Sequence, residues 1–245
     1  MEINLMHHAP YNDIAEWYEN YLRENPLYHE VLLPSLLDLI GDVQRQRVCD
    51  FACGQGWVAR EIARRGAQVT GIDLADHLLA LARRYEEEEP LGIVYVQDDV
   101  RHASLLANDS FDGCVCVLAL MDIDDLQAAF QTIRRVLKHS GWLVFAITHP
   151  CFELLHAQWI TMDNGDTVRA VRGYFHEQFW MSEGGGIRSR VGSHHRMLST
   201  YLNTLVAAKF SLERVIEPLA TSERVKQVPG NREVPSLLLI RAHAL

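Results

Sequence analysis

The sequence predicts an α/β fold, a mostly parallel, doubly wound sheet flanked by helices. Five apolar segments alternate with amphipathic ones between residues 47 and 150, the pattern of parallel strands joined by crossover helices. The first runs into a glycine-rich turn, VCDFACGQGW over 48–57, of the kind that brings a ligand close to the backbone. Two more strand-like segments follow near the C-terminus, and such late strands often close a parallel sheet with antiparallel pairing. At 245 residues the chain is long enough for one core with an insertion, so a single domain is expected.

In order along the chain, residues 1–46 read as a helical cover, with Ile14, Trp17, Tyr18, Tyr21 and Leu22 on one apolar stripe. A core follows over 47–150. Its strands are expected at RVCDFA, AQVTGIDL, GIVYVQDD, FDGCVCVLAL and WLVFAITH. The helix GWVAREIARRG places Val58, Ile62 and Ala63 on one face and stops at Gly66. The next, ADHLLALARRYEEEE, aligns Leu78, Leu81, Ala82 and Tyr85. A third starts near Asp124, turns Leu126, Phe130, Ile133 and Leu137 inward, and ends through Lys138, His139, Ser140 and Gly141. Over 151–197 the period is lost and a substrate-cap insertion is expected. Within it WITMDNGDTVRAV reads as a hairpin, its Asn164-Gly165 supplying positive backbone angles. Residues 198–245 complete the core with the helix LSTYLNTLVAAKF, capped by Ser199, and the strands SLERVIEP and SLLLIRAHA.

Composition narrows the partners. A formal net charge of −9 disfavours unaided binding to nucleic acid or anionic membranes, which leaves a small molecule as the expected partner. No run is long and apolar enough to span a bilayer, and MEINLMHHAPYND lacks the basic flank and apolar core of a signal peptide, so a cytoplasmic location is expected. Five cysteines form an odd set, which argues against a disulfide framework. Cys114 and Cys116 share a strand face without a second thiol pair at zinc spacing, and His7, His8 and His102 show no ligand spacing, so no metal is expected.

Gly54, Gly56 and Ala59 fit the loose pattern G-x-G-x-x-G/A, and Asp73 ends the next strand as a ribose-binding acid should. That much admits a nicotinamide-dependent oxidoreductase. Asp50 discriminates, because a carboxylate at the strand's mouth repels a pyrophosphate and favours a cofactor bearing ammonium and sulfonium charges, as S-adenosylmethionine does. After the third strand, Asp98, Asp99 and Val100 offer a carboxylate and a backbone N–H to the amine and ring nitrogen of an adenine. On this reading Asp73 takes the ribose hydroxyls, Asp99 and Val100 the adenine, and Asp50 the methionine end. Gly54 and Gly56 let the backbone approach, with Ala52 and Leu74 beside them.

The run DFACGQG, followed by GIDLADHLL, VQDDV, SFDGCVCVLALMDIDD and IRRVLKHSGWLVFAITHP, resembles the class I S-adenosylmethionine-dependent methyltransferases of small-molecule type over about residues 47–150. The resemblance implies a Rossmann-like sheet of seven strands closed by a reversed C-terminal pair, the last strand antiparallel. It implies that Leu118 and Ala119 line the cofactor's middle and that Trp57 lies near its methionine moiety. YNDIAEWY resembles the segment covering the cofactor, which brings in Tyr11 and Tyr18. The chain departs from the family in three places, one of them a segment from Val100 to Phe111 that is one residue longer than usual. Its second-motif acid is doubled, so Asp98 and Asp99 compete for the adenine, and Asp99 is chosen by its step before a small apolar residue. Met121 and Asp122 stand where many relatives carry a histidine.

The reaction so implied is metal-independent in-line transfer of a methyl group from S-adenosylmethionine, leaving S-adenosylhomocysteine, to an O, N, S or carbon nucleophile of a small-molecule acceptor. Such a protein mainly holds the reactants in line and supplies a modest base. Candidate bases are His149, His194, His195 and Asp122. His195 is favoured because it lies in the insertion, whose Phe152, Trp159, Tyr174, Phe175, Phe179 and Trp180 suit an apolar acceptor pocket. The alternatives are the nicotinamide-dependent oxidoreductase and a catalytically silent S-adenosylmethionine-binding protein.

Overall fold

Strand period and helix period assemble into a layered fold in the computed structural model, which describes residues 9–245; His7, His8 and the start of the expected helical cover lie outside them. A short 3-10 turn at Pro10–Ile14 leads into α1 (Ala15–Glu24), then a π turn at Leu27–Leu32 and α2 (Leu33–Ile40). The core runs β1 (Arg47–Phe51), α3 (Trp57–Arg64), β2 (Gln68–Asp73), α4 (Asp76–Glu88), β3 (Val94–Gln97), β4 (Phe111–Val117), α5 (Leu126–Val136) and β5 (Leu137–Thr148). Two hairpins follow, β6 (Gln158–Thr161) with β7 (Thr167–Ala170) and β8 (Gln178–Trp180) with β9 (Ser193–His195). The chain ends with α6 (Leu198–Ala207), β10 (Phe210–Ile216), α7 (Ser222–Gln227) and β11 (Leu237–Ala244).

The main sheet has seven strands in the order β10-β11-β5-β4-β1-β2-β3. Pairing from β3 to β5 is parallel, and β11 runs antiparallel to both β5 and β10. Only the last strand is therefore reversed, and β10 shares the direction of β5. Alternation divides the core into two layers. Cys49, Phe51, Cys114, Cys116 and Phe145 face the side packed with Phe130 of α5 and Leu205 of α6, while Val48, Val115 and Val144 face Leu36 of α2 and Ile62 of α3. The buried thiols fill this core as small apolar groups, and all five cysteines are free. Sheet order reverses between β1 and β4, so their carboxyl ends open a crevice at the switch point.

Local expectations fail at three places. The third helix stops at Val136, because Leu137 turns extended (φ −73°, ψ 137°) and pairs with Phe111 at once. Lys138, His139, Ser140 and Gly141 therefore open β5, and the Lys138 ammonium reaches across to Asp112 Oδ1 at 2.7 Å. In the β6–β7 hairpin only Gly165 has a positive φ, 88°; Asn164 serves through its side chain, which accepts the Asp166 N–H. Ser199 does not cap α6. The N-cap is Met197, whose N–H goes to Glu177 Oε1, while the Leu198 N–H goes to the Tyr174 hydroxyl. The insertion thus caps the helix that follows it.

Candidate functional site

At the switch point the turns after β1 and β4 carry non-glycine residues in the left-handed region, Ala52 at φ 56° and Leu118 at φ 56°. Such positions are strained for a side chain and tend to persist where a site demands them. Both line a cavity of about 370 Å³ at the carboxyl edge of the sheet. Its floor and walls include Gly54, Asp73, Leu74, Asp99, Val100 and Ala119 from the core. Tyr11 and Tyr18 close it from the N-terminal side, and Asp122 and His194 lie on its wall. The fold thus gathers ten of the cofactor-binding residues expected from sequence around one space.

Gly54 and Gly56 turn out to differ. At Gly54 (φ +56°) an added Cβ would find Leu78 Cδ1 no nearer than 3.7 Å, so the missing side chain leaves the cavity open. At Gly56 (φ +80°) a Cβ would fall 2.3 Å from the Tyr95 hydroxyl, so this glycine serves close packing behind the loop. Gly56 is not part of the cavity lining.

Asp73 is only 8% exposed, and its carboxylate accepts the Gly54 N–H at 2.7 Å and the Ala75 N–H at 2.8 Å. Burial raises its pKa against those two bonds. It therefore ties the glycine turn to the end of β2 while facing the cavity. The two acids point in different directions. Asp98 Oδ2 accepts the Leu105 N–H at 2.9 Å, which fastens the following loop, whereas Asp99 lines the cavity. Burial works against the Asp99 charge, yet the Arg101 guanidinium and N–H together hold its pKa below the ordinary value.

Asp50 lies under the turn, 1% exposed, and its Oδ2 has no hydrogen-bond partner. Burial, reinforced by the charge of Asp73 and opposed by the Ala59 N–H, pushes its pKa up to about 8. A buried carboxyl held between ionised and neutral, with one oxygen unmatched, suits a cationic group arriving from the cavity side. That is the chemistry of an ammonium-bearing ligand, and it does not suit a pyrophosphate.

Three other residues singled out from sequence stand elsewhere. Trp57 faces His29, with ring centroids 5.9 Å apart, and lines a second cavity of about 270 Å³ between the N-terminal helices and α3. His149 uses both nitrogens structurally: Nδ1 accepts the Cys151 N–H at 3.2 Å, so Nε2 carries the proton and meets Glu217 Oε1 at 2.7 Å. His195 Nε2 hydrogen-bonds the Tyr174 carbonyl at 2.8 Å and faces away from the cavity. Its neighbour His194 faces in, because successive residues of β9 point to opposite sides. One strand register decides between the two histidines, and nothing in SHHR reveals it.

Asp122 is a junction. Its carboxylate accepts the Tyr11 hydroxyl at 2.6 Å and forms a close ion pair with Arg188, which also donates to the Gly192 carbonyl. Burial opposes the Arg188 charge, but Asp122 keeps it protonated. The insertion and the N-terminal segment thereby meet at the tip of β4. The six aromatic residues expected to form an acceptor pocket do not line the cavity. Phe175 is 82% exposed, and Trp159 packs on the backbone of Gly230 and under Arg169.

A family profile described as a methyltransferase domain matches residues 49–145. The crystal structure of an S-adenosylmethionine dependent methyltransferase from Mesorhizobium loti superposes with a TM-score of 0.76 and 29% identity, covering 91% of this chain and 99% of that one. Ubiquinone biosynthesis O-methyltransferases from Alkalilimnicola ehrlichii and Paracidovorax citrulli are 28% and 32% identical over 134 and 142 residues, 54% and 56% of this chain. These alignments span 54% and 59% of the two enzymes, so the chain matches little more than half the length of those curated relatives.

Proposed function

We propose that this chain, which belongs to the class I S-adenosylmethionine-dependent methyltransferases, methylates a small-molecule acceptor without a metal. The observation that carries the cofactor reading is the unmatched, buried Oδ2 of Asp50 behind a cavity rimmed by Ala52, Gly54 and Asp73. Asp73 would hold the ribose, Asp99 and the Val100 N–H the adenine, and Leu118 and Ala119 the middle of the ligand. Asp50 would answer the ammonium, and Tyr11 and Tyr18 would keep water out from above. When bound, the sulfonium supplies an activated methyl group. The protein's own work is then to orient it, exclude water and accept a proton.

In functional terms residues 9–46 cover the cofactor, 47–150 bind it, 151–197 border the acceptor side and 198–245 complete the sheet. The names of the curated relatives favour an oxygen acceptor. No helix among the described residues is long and apolar enough to cross a membrane. Five unpaired thiols suit a reducing compartment, which supports a cytoplasmic site of action.

The reading is tested by calorimetry with S-adenosylhomocysteine in the presence of a chelator, in two buffers of different ionisation enthalpy. Asp50 has a folded pKa of about 8 against an ordinary 3.8, so the native apo state carries an extra proton across that window. That contribution to stability is full below about pH 4 and is lost as pH rises toward 8. A ligand ammonium lowers the folded pKa, so binding should release up to about one proton at pH 7 and tighten by up to roughly tenfold per pH unit between 6 and 8. Asp50→Asn should bind without proton release. A folded protein that gives no heat and no thermal shift at millimolar ligand would remove the cofactor assignment.

A further inference from the structure

Among the described residues, the cavity wall holds one group able to take a proton near neutral pH whose acceptor atoms are uncommitted. Asp73 is bound by two backbone N–H groups, Asp99 and Asp124 by Arg101, and Asp122 by Arg188 and Tyr11. Burial pushes the Tyr11 and Tyr18 phenols upward, so neither serves as a base. The His194 ring touches Phe179 edge-on at 5.1 Å, and its nitrogens make no hydrogen bond among the described residues. Its backbone is held firmly: the His194 N–H meets the Met121 carbonyl at 2.7 Å, and the adjacent Arg196 grips the carbonyls of Leu120, Ile123 and Asp124. An inserted hairpin thus presents an imidazole beside the end of β4.

We propose that His194 is the general base that takes the proton of a weakly acidic acceptor, a neutral small molecule bearing a hydroxyl, as its oxygen is methylated. The step balances. The oxygen lone pair forms the new C–O bond, the S–C bond breaks with its pair left on sulfur, and the hydroxyl proton passes to a ring nitrogen, giving imidazolium. Burial first, then Arg196, lowers the imidazole pKa, against the opposing charges of Asp124 and Asp122, so the neutral form stands ready. The inference rests on the cofactor reading above.

Its test needs no acceptor. Ring-labelled histidine is followed by NMR through a pH titration of apo protein, the S-adenosylhomocysteine complex and the S-adenosylmethionine complex. The His194 signal is assigned by its loss in His194→Gln, or by triple-resonance methods should that variant not fold. The two ligands differ by the sulfonium charge, so an imidazole beside the reacting centre should titrate about 0.5 to 1.5 units lower with S-adenosylmethionine. His195 and His149, turned away, should shift by less than about 0.2 units. Calorimetry on the same samples separates the two readings. Absence of binding overturns the cofactor assignment, and binding of both ligands with one unchanged His194 pKa overturns the role of His194 alone.

Discussion

Asp122→Ala is expected to lower the stability of the fold by about 3 kcal/mol, and Asp122→Ala combined with Arg188→Met is expected to recover most of it. Both side chains are 15% exposed, and among the described residues the Arg188 guanidinium would keep only the Gly192 carbonyl once its carboxylate is gone. An unpaired cation in such surroundings loses hydration without compensation, which costs far more than the intact pair gains over an apolar pair. The Tyr11 hydroxyl would lose its acceptor as well, so the segment around Pro10–Ile14 should exchange its amide hydrogens faster. For a chain of this size about 3 kcal/mol corresponds to a fall of roughly 6 to 12 °C in melting temperature. A fall under about 2 °C would mean that water already screens the pair. Recovery in the double variant would show that the penalty belongs to the stranded charge.

That junction also marks the limit of what the sequence displays. The sheet was legible because its strands alternate: Cys49 and Phe51 against Val48, Cys114 and Cys116 against Val115, each pair of faces repeating at period two. Crossover helices showed in the same way, through single apolar faces. The shared cavity of Gly54, Asp73 and Asp99 was legible because they sit at strand ends, where chain order alone fixes their place. The insertion has no such rule. Arg188 meets Asp122 across 66 positions and Tyr11 meets it across 111, and no local period announces either contact. The same absence hides which of His194 and His195 faces the cavity, since a three-residue strand offers too little alternation to set its register. Aromatic density says little about the cavity for a different reason. Trp159 covers the backbone at Gly230, and Phe175 is largely exposed, so neither lines the cavity. The Lys138–Gly141 stretch carries the residues of a helix end but opens a strand, because pairing with Phe111 and Asp112 outweighs the local preference.

Asp73→Ala should raise the dissociation constant for S-adenosylhomocysteine by roughly tenfold to a hundredfold, the value of losing charge-assisted bonds of about 1.5 to 3 kcal/mol. The structure adds a second effect. With the carboxylate removed, the N–H groups of Gly54 and Ala75 lose their acceptor, and an orphaned buried donor costs about 1 to 3 kcal/mol. Part of that cost is returned, because Asp73 is itself an ionisable group buried beside Asp50 and its charge raises the pKa of that neighbour. Removing it should lower the Asp50 pKa from about 8, so the variant should also release less than the wild-type proton on binding ligand. Three readouts therefore move together: weaker affinity, a lower urea midpoint and a smaller proton release. Asp73→Asn keeps one oxygen that can accept from either Gly54 or Ala75, and it should recover part of the stability while leaving the proton release small. Unchanged affinity in both variants would take Asp73 out of the site. Weakened affinity with an undiminished proton release would instead show that Asp73 holds the ligand without being electrostatically coupled to Asp50.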